Sequence, residues 1–385
     1  MGWKRMFSRK RLPPFPHDFW LEEMEQARGD AAALVMPPHY EGKLKYLFFP
    51  GCQLGASDPR YPQAVYQLLR QVEPATAMWL SCCGAPSYWV GEIEQYRAVQ
   101  NELHQQWEQL GKPTLVLACL SCKKIIDYVL PDIKPVTVYQ LLAAAEDLEL
   151  PSYEGLPELG LADPCMARDE PAVRAAVCSL LDKMQVPYHI LHEDIHTLPC
   201  CGFGGNIEGP NLAAAQAAAK ARISSQERPY LAYCVNCRDV FAGAGTEALH
   251  LLDLVTGLNG LERPTPHLSL RRDNRRLAKA LATGAEKAEF LGISLEVDDA
   301  VAQMMDDSLI SADHVRRLIA RAEQSGNKFI DDQGISIAHL PLCGVTIWAE
   351  YRPLGDNTYQ LLSVYFHRME RVAGPPPDKQ ALVSE

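Results

Sequence analysis

Short apolar runs, each stopped by a turn, set the rhythm of the first two thirds of the chain. Lys45 to Phe49 is such a run and ends at Pro50-Gly51-Cys52, the pattern of a strand feeding a turn. Ala64 to Val72 has helical spacing, and Met78-Trp79-Leu80 predicts a second strand that delivers Cys82 and Cys83. A long helical stretch from Gly91 to Leu110 precedes the strand Thr114 to Ala118, which ends at Cys119-Leu120-Ser121-Cys122 and opens a helix over Lys123 to Val129. Val136 to Ala145 closes the unit. Strand, cysteine turn and helix repeat three times. This predicts an α/β layer with cysteines at the carboxyl ends of its strands, where such folds place sites.

The same pattern then returns. Leu159 to Cys165 answers the Phe49–Cys52 turn, Thr197 to Gly205 answers Ser81 to Pro86, and Leu231 to Cys237 answers Leu117 to Cys122. A spacing of about 115 residues relates all three pairs and predicts two tandem, duplicated α/β units. Cys178 has no counterpart; it falls in the helical run Ala172 to Met184 and is expected to be a buried core thiol.

The flanks read differently. Residues 1–43 form a basic, proline-punctuated arm (Lys4, Arg5, Arg9, Lys10 and Arg11) with one amphipathic helical segment near Phe19 to Arg28. For the basic tip a solvated tail is expected, with peripheral contact to anionic lipid or a partner as the alternative. Leu268 to Ala285 is charged and helical (Arg271, Arg272, Asp273, Arg275, Arg276) and reads as a linker or outer helix with a solvated arginine face, docking of an acidic partner being the alternative. A small α+β module follows, with a helix from Ser311 to Glu323 and β-like runs at Ile335 to Leu340, Val345 to Tyr351 and Tyr359 to Tyr365. Cys343 there is expected to be structural, and the tail from Gly374 disordered. The expected division is thus 1–43, 44–150, 151–260, 261–285 as linker, 286–372 and 373–385.

Composition narrows the chemistry. A chain of 385 residues with 47% hydrophobic and 22% charged content is that of a soluble globular protein with room for two or three domains. A net charge of −11 argues against nucleic acid as main partner. No secretory signal is visible, and no run approaches the roughly 20 apolar residues of a membrane span. A reduced, cytoplasmic setting is expected, where twelve cysteines point to metal ligation or redox work rather than disulfides.

Each unit carries one cysteine, then an adjacent pair, then CxxC: Cys52, Cys82, Cys83, Cys119 and Cys122, and Cys165, Cys200, Cys201, Cys234 and Cys237. Adjacent thiols reach one centre only if the backbone bends, and Gly202, Gly204 and Gly205 permit that bend. Five thiols is one more than a tetrahedral zinc site takes, and the spacing is unlike a ferredoxin run. Five soft ligands from three strand ends point to an iron–sulfur cluster with an extra thiolate. Zinc is the alternative, above all in the first set. The chain has no strand–GxGxxG–helix fingerprint and no compact ferredoxin run, so electrons must arrive from a partner subunit. Other candidates carry two readings each: His192 and His196 around Asp194 as metal pair or surface groups, and Arg168 with Asp169 as a cluster neighbour or helix start. Arg238, Lys123 and Lys124 would offset cluster charge or face solvent, and His367-Arg368 is a weak candidate.

The motifs GCxxG, CCGAP and CxxC, then DPC, CCGFGG and CxxC, resemble the CCG cysteine-rich domain family over roughly residues 44–256. Its members include the catalytic B subunit of heterodisulfide reductase and iron–sulfur subunits of glycolate, lactate and glycerol-3-phosphate oxidation. The resemblance implies that each five-cysteine set holds a non-cubane [4Fe–4S] cluster. It also implies that Cys82, Cys83, Cys200 and Cys201 are catalytic, and that a disulfide or thiol substrate is split by electron transfer. A ferredoxin-type iron–sulfur subunit, a flavoprotein subunit, or both, are the implied partners. Two alternatives stand beside this: a quinone-directed electron-transfer subunit of a hydroxy-acid dehydrogenase-type complex, and a zinc or redox-sensing scaffold. The segment from Leu268 resembles the tail of dicluster-binding proteins and adds little about substrate.

Overall fold

The computed structural model describes residues 16–39, 42–208, 210–223, 228–342 and 345–367. The chain falls into two compact units, one from Pro16 to Glu289 and one from Phe290 onward. The structure is α/β, with three sheets, two of them largely or wholly parallel.

The first unit opens with α1 (Pro16–Arg28) and β1 (Ala33–Val35), then β2 (Tyr46–Phe49), α2 (Leu54–Ser57), α3 (Tyr61–Val72) and β3 (Thr76–Leu80). It continues through α4 (Ala85–Trp89), α5 (Ile93–Gln109), β4 (Thr114–Leu117), α6 (Leu120–Val129), β5 (Val136–Thr137) and α7 (Val138–Ala144). These strands make one sheet in the order β1-β3-β2-β4-β5, parallel except for β1, which pairs antiparallel with β3 through Ala33↔Leu80. β3 is buried at every position because helices cover both faces. α3 buries Tyr61, Val65, Tyr66 and Leu69, the one stripe its spacing allows.

The second half repeats the layout. β6 (Leu159–Ala162), α8 (Pro171–Lys183), β7 (Tyr188–Ile190), α9 (Leu212–Ile223), β8 (Tyr230–Ala232), α10 (Val235–Gly243), β9 (Ala248–His250) and α11 (Leu251–Thr256) follow in order. The sheet order is β7-β6-β8-β9, all parallel. Strand for strand this is the order β3-β2-β4-β5 of the first sheet. One continuous core, from Phe48 and Val116 to Leu161 and Leu231, joins the two halves.

The amphipathic segment expected near Phe19 is α1, with Phe19, Trp20, Leu21 and Met24 buried, and β1 extends the first sheet. One flanking expectation is corrected: the arginine face of α12 (Arg271–Thr283) is not solvated, since Arg271, Arg272, Arg275 and Arg276 are each 5% exposed or less. Carboxylates from distant parts of the same unit meet them. Arg272 and Arg275 bind Glu23, Arg276 binds Asp30, and Arg271 binds Asp239 at 2.7 Å. Buried guanidinium groups persist only when paired in this way.

The second unit carries β10 (Ser294–Glu296), α13 (Asp299–Asp307), α14 (Ala312–Ser325), β11 (Phe329–Ile330), β12 (Ser336–Leu342), β13 (Val345–Gly355) and β14 (Thr358–His367). Its sheet order is β10-β14-β13-β12-β11, antiparallel except for β10 beside β14. Ser311 caps α14 through a capping box with His314. The basic tip before Pro16, Cys343, Arg368 and the tail from Gly374 lie outside the described residues. Among the described residues no helix is long and apolar enough to cross a membrane.

Candidate functional site: two nests of five thiols

Three parallel strands deliver the first set. β2 runs out before Gly51, whose φ of +78° turns the chain so that Cys52 follows; a Cβ there would lie 3.1 Å from Cys122 Sγ. β3 is followed by Cys82 and Cys83, bent by Gly84 at φ +83°. β4 is followed by Cys119, which occupies the N-cap position of α6, and Cys122 lies in the first turn of that helix. Cys82 and Cys52 sulfurs are 3.3 Å apart. Cys83 sits between Cys82 and Cys122, and Cys122 bonds Cys119 in turn, so all five sulfurs form one chain of contacts. The backbone N–H groups of Cys122 and Ser121 donate to Cys119, and that of Gly84 to Cys82.

The second set is built alike. Cys165 follows β6, Cys200 and Cys201 follow the turn after β7, and Cys234 caps α10 with Cys237 in its first turn. Cys201 and Cys237 sulfurs are 3.3 Å apart; Cys165 meets Cys200, and Cys234 meets Cys237. Gly202 N–H donates to Cys200 Sγ at 3.3 Å, with a second donor from Gly204. Gly202 has φ +98°, and a Cβ there would lie 2.5 Å from Ala215 O, so only glycine fits.

In each set the thiol–thiol bonds divide the groups. Bonds from Cys122 and Cys82 hold Cys83 down to about 6, and a bond from Cys122 lowers Cys119. In the other set, Cys165 lowers Cys200 and Cys237 lowers Cys234. Their donors rise: Cys82 and Cys122 in the first set, Cys165 and Cys237 in the second, with Cys201 up at about 12; Cys52, bonded to Cys82, rises as well. Two thiols per set are thus held below their ordinary range while their neighbours are pushed up, and thiolate is the form that ligates.

The two sets adjoin. The Tyr139 hydroxyl donates to Tyr233 O at 2.9 Å, directly before Cys234, and lies 3.5 Å from Ala118 O, directly before Cys119. All five sulfurs of the first set line one pocket, and its wall includes Phe203 and Asn236 from the second half and Trp20 from α1. Trp20 and Phe203 touch edge to face with centroids 5.4 Å apart. Sequence reading missed these three wall residues. Asn236 carried a signal, lying between Cys234 and Cys237; Trp20 carried none.

The remaining candidates separate. His196 Nδ1 pairs with Asp169 at 2.7 Å on the surface, while Arg168 Nε donates to Leu198 O at 2.9 Å; both contacts tie the Cys165 turn to the Cys200 turn. His192 accepts from Arg174 through its carbonyl. Lys123 pairs with Asp127 and Glu170, and Lys124 donates to Arg168 O at 3.1 Å. Arg238 is fully buried rather than solvated and braces Ala248 O and Asp239. Cys178 is half-buried against the core, apart from both sets. His367 lies beside Trp348 in the second unit, centroids 5.8 Å apart.

Among the described residues no group of three or more His, Cys, Asp or Glu side chains is disposed to hold a metal ion. The sulfurs form chains of contacts instead of a four-cornered shell. The donor chemistry fits an iron–sulfur cluster: five soft ligands in each set, with backbone N–H groups turned toward sulfur. No curated protein matches the chain. The family model of the CCG cysteine-rich domain matches residues 46–127, the stretch that holds all of the first five-cysteine set; domains of that kind are linked to redox iron–sulfur proteins.

Proposed function

We propose that this protein is an iron–sulfur oxidoreductase subunit that holds two [4Fe–4S] clusters and reduces a disulfide, in the manner of the B subunit of heterodisulfide reductase. The observation that carries this reading is the gathering of five sulfurs, twice, at adjoining strand ends. Cys52, Cys82, Cys83, Cys119 and Cys122 would hold one cluster, and Cys165, Cys200, Cys201, Cys234 and Cys237 the other, non-cubane as the family resemblance implies. A four-iron cluster so held supplies one-electron chemistry.

The chain's own residues prepare the site. Gly202 and Gly204 turn N–H donors onto Cys200, which stabilises thiolate there and orients the pair Cys200–Cys201. Tyr139 fixes the two CxxC segments against each other. Trp20, Trp89 and Phe203 wall the first set with apolar rings. Reducing a disulfide takes up two electrons and two protons, breaks one S–S bond and releases two thiols. The electrons would come from a flavoprotein or ferredoxin-type subunit, and the protons from solvent.

The test mixes the anaerobically reduced, full-length protein with a small disulfide and counts thiols released against cluster reoxidation. Two thiols per two electrons, lost in Cys83→Ser and Cys201→Ser, is the expected result. Reoxidation by a quinone but not by any disulfide would instead assign a quinone-directed role.

A further inference from the structure

Trp20 is 3% exposed, yet its indole N–H has no hydrogen-bond partner. Folded proteins rarely leave a buried donor unmet, and an orphan of this kind calls for a missing acceptor. Trp20 lines the same pocket as the five sulfurs of the first set. The ring meets two others edge to face, Phe19 at 5.5 Å and Phe203 at 5.4 Å. The helix that carries it is fixed to the site as well. Glu23 on α1 binds Arg272 and Arg275, Gln26 Oε1 accepts from Arg275 at 2.8 Å, and Arg275 Nε donates to Cys52 O at 3.1 Å. One arginine thus ties the amino-terminal helix to the first cysteine of the set.

We propose that Trp20 Nε1–H donates a hydrogen bond to the sulfur group held by Cys52, Cys82, Cys83, Cys119 and Cys122, which makes α1 part of that site. The inference rests on the cluster reading above for its acceptor. The other orphan in the pocket wall, Asn236 Oδ1, is an acceptor and the competing partner for this N–H. A donor aimed at cluster sulfur favours the more negative, reduced state and raises the reduction potential. Trp20 would then set the potential of the first cluster and leave that of the second unchanged.

The test compares full-length wild type with Trp20→Phe, which keeps an aromatic ring at the position and removes the N–H. Iron and sulfide content, an EPR redox titration, and pulsed EPR after exchange into deuterated water are read on both. The expected result is unchanged iron, one of two cluster signals titrating at a more negative potential, and loss of one exchangeable-deuteron coupling from that signal. Unchanged potentials in an iron-loaded variant would overturn the proposal. Wild type without iron would show that the cluster reading itself had failed, and the inference would fall with it. Should Trp20→Phe not accumulate, ¹⁵N-indole labelling of the wild type replaces it: a ¹⁵N coupling on one signal supports the proposal, and its absence overturns it.

Discussion

Tyr139 donates its hydroxyl to the carbonyl of Tyr233 at 2.9 Å, across the boundary between the two cysteine-bearing sheets. Both partners are fully buried, and burial holds the Tyr139 hydroxyl well above the usual phenol range, so it stays a donor. The carbonyl it meets directly precedes Cys234, and Ala118 O, beside the same hydroxyl, directly precedes Cys119. Tyr139→Phe keeps the ring and orphans that carbonyl. It should cost about 1 kcal/mol in chemical denaturation and shift the EPR lines of both clusters together. A shift confined to one cluster would deny Tyr139 its bridging role.

Gly202 and Gly205 both have positive φ, but only Gly202 is crowded, with Ala215 O 2.5 Å from where a Cβ would sit. Gly202→Ala should displace the Cys200–Cys201 turn and cut bound iron to about half, one cluster of two. Gly205→Ala meets nothing within 4 Å and should keep its iron at a cost of about 1 kcal/mol. Metal analysis of the two variants side by side checks the contrast.

Glu23 is the hub of the α1–α12 contact. Burial pushes its carboxyl up, but Arg275 and Arg272 more than offset that and hold it below its ordinary 4.5. A depressed carboxyl contributes stability that is present at neutral pH and is lost as pH falls below about 4.5, toward the folded-state value. Glu23→Gln leaves two buried guanidinium groups short of a partner and should cost about 3–5 kcal/mol at pH 7. Its stability should also fall less steeply with acid than that of wild type. Parallel acid titrations followed by circular dichroism would show the difference, and superimposable curves would refute it.

Cys178 is half-buried on α8, and burial raises its thiol. Cys178→Ala should cost about 1 kcal/mol and leave iron content and EPR spectra untouched. A loss of iron would make it a ligand.

Much of the site is legible in the sequence because its signals are local. An apolar run that stops at Gly51-Cys52, or at Cys82-Cys83-Gly84, announces a strand end and the group it presents. The matching strand orders β3-β2-β4-β5 and β7-β6-β8-β9 follow the matching motifs. What failed to read was non-local. Arg272 and Arg275 look solvated on any helical pattern, and their partner Glu23 lies in another helix far earlier in the chain. Trp20 becomes a wall of the first site only through that pairing. α9, rich in alanine from Leu212 to Ile223, has no apolar stripe to declare it.

Iron, acid-labile sulfide and zinc content, measured with EPR on one strictly anaerobic preparation, bear most directly on the two-cluster reading. About eight irons and eight sulfides per chain is the expected result. About four irons with one zinc would leave a single redox centre and turn the first nest into a structural or docking domain. Zinc alone, with no iron even after reconstitution, would contradict the electron-transfer function outright.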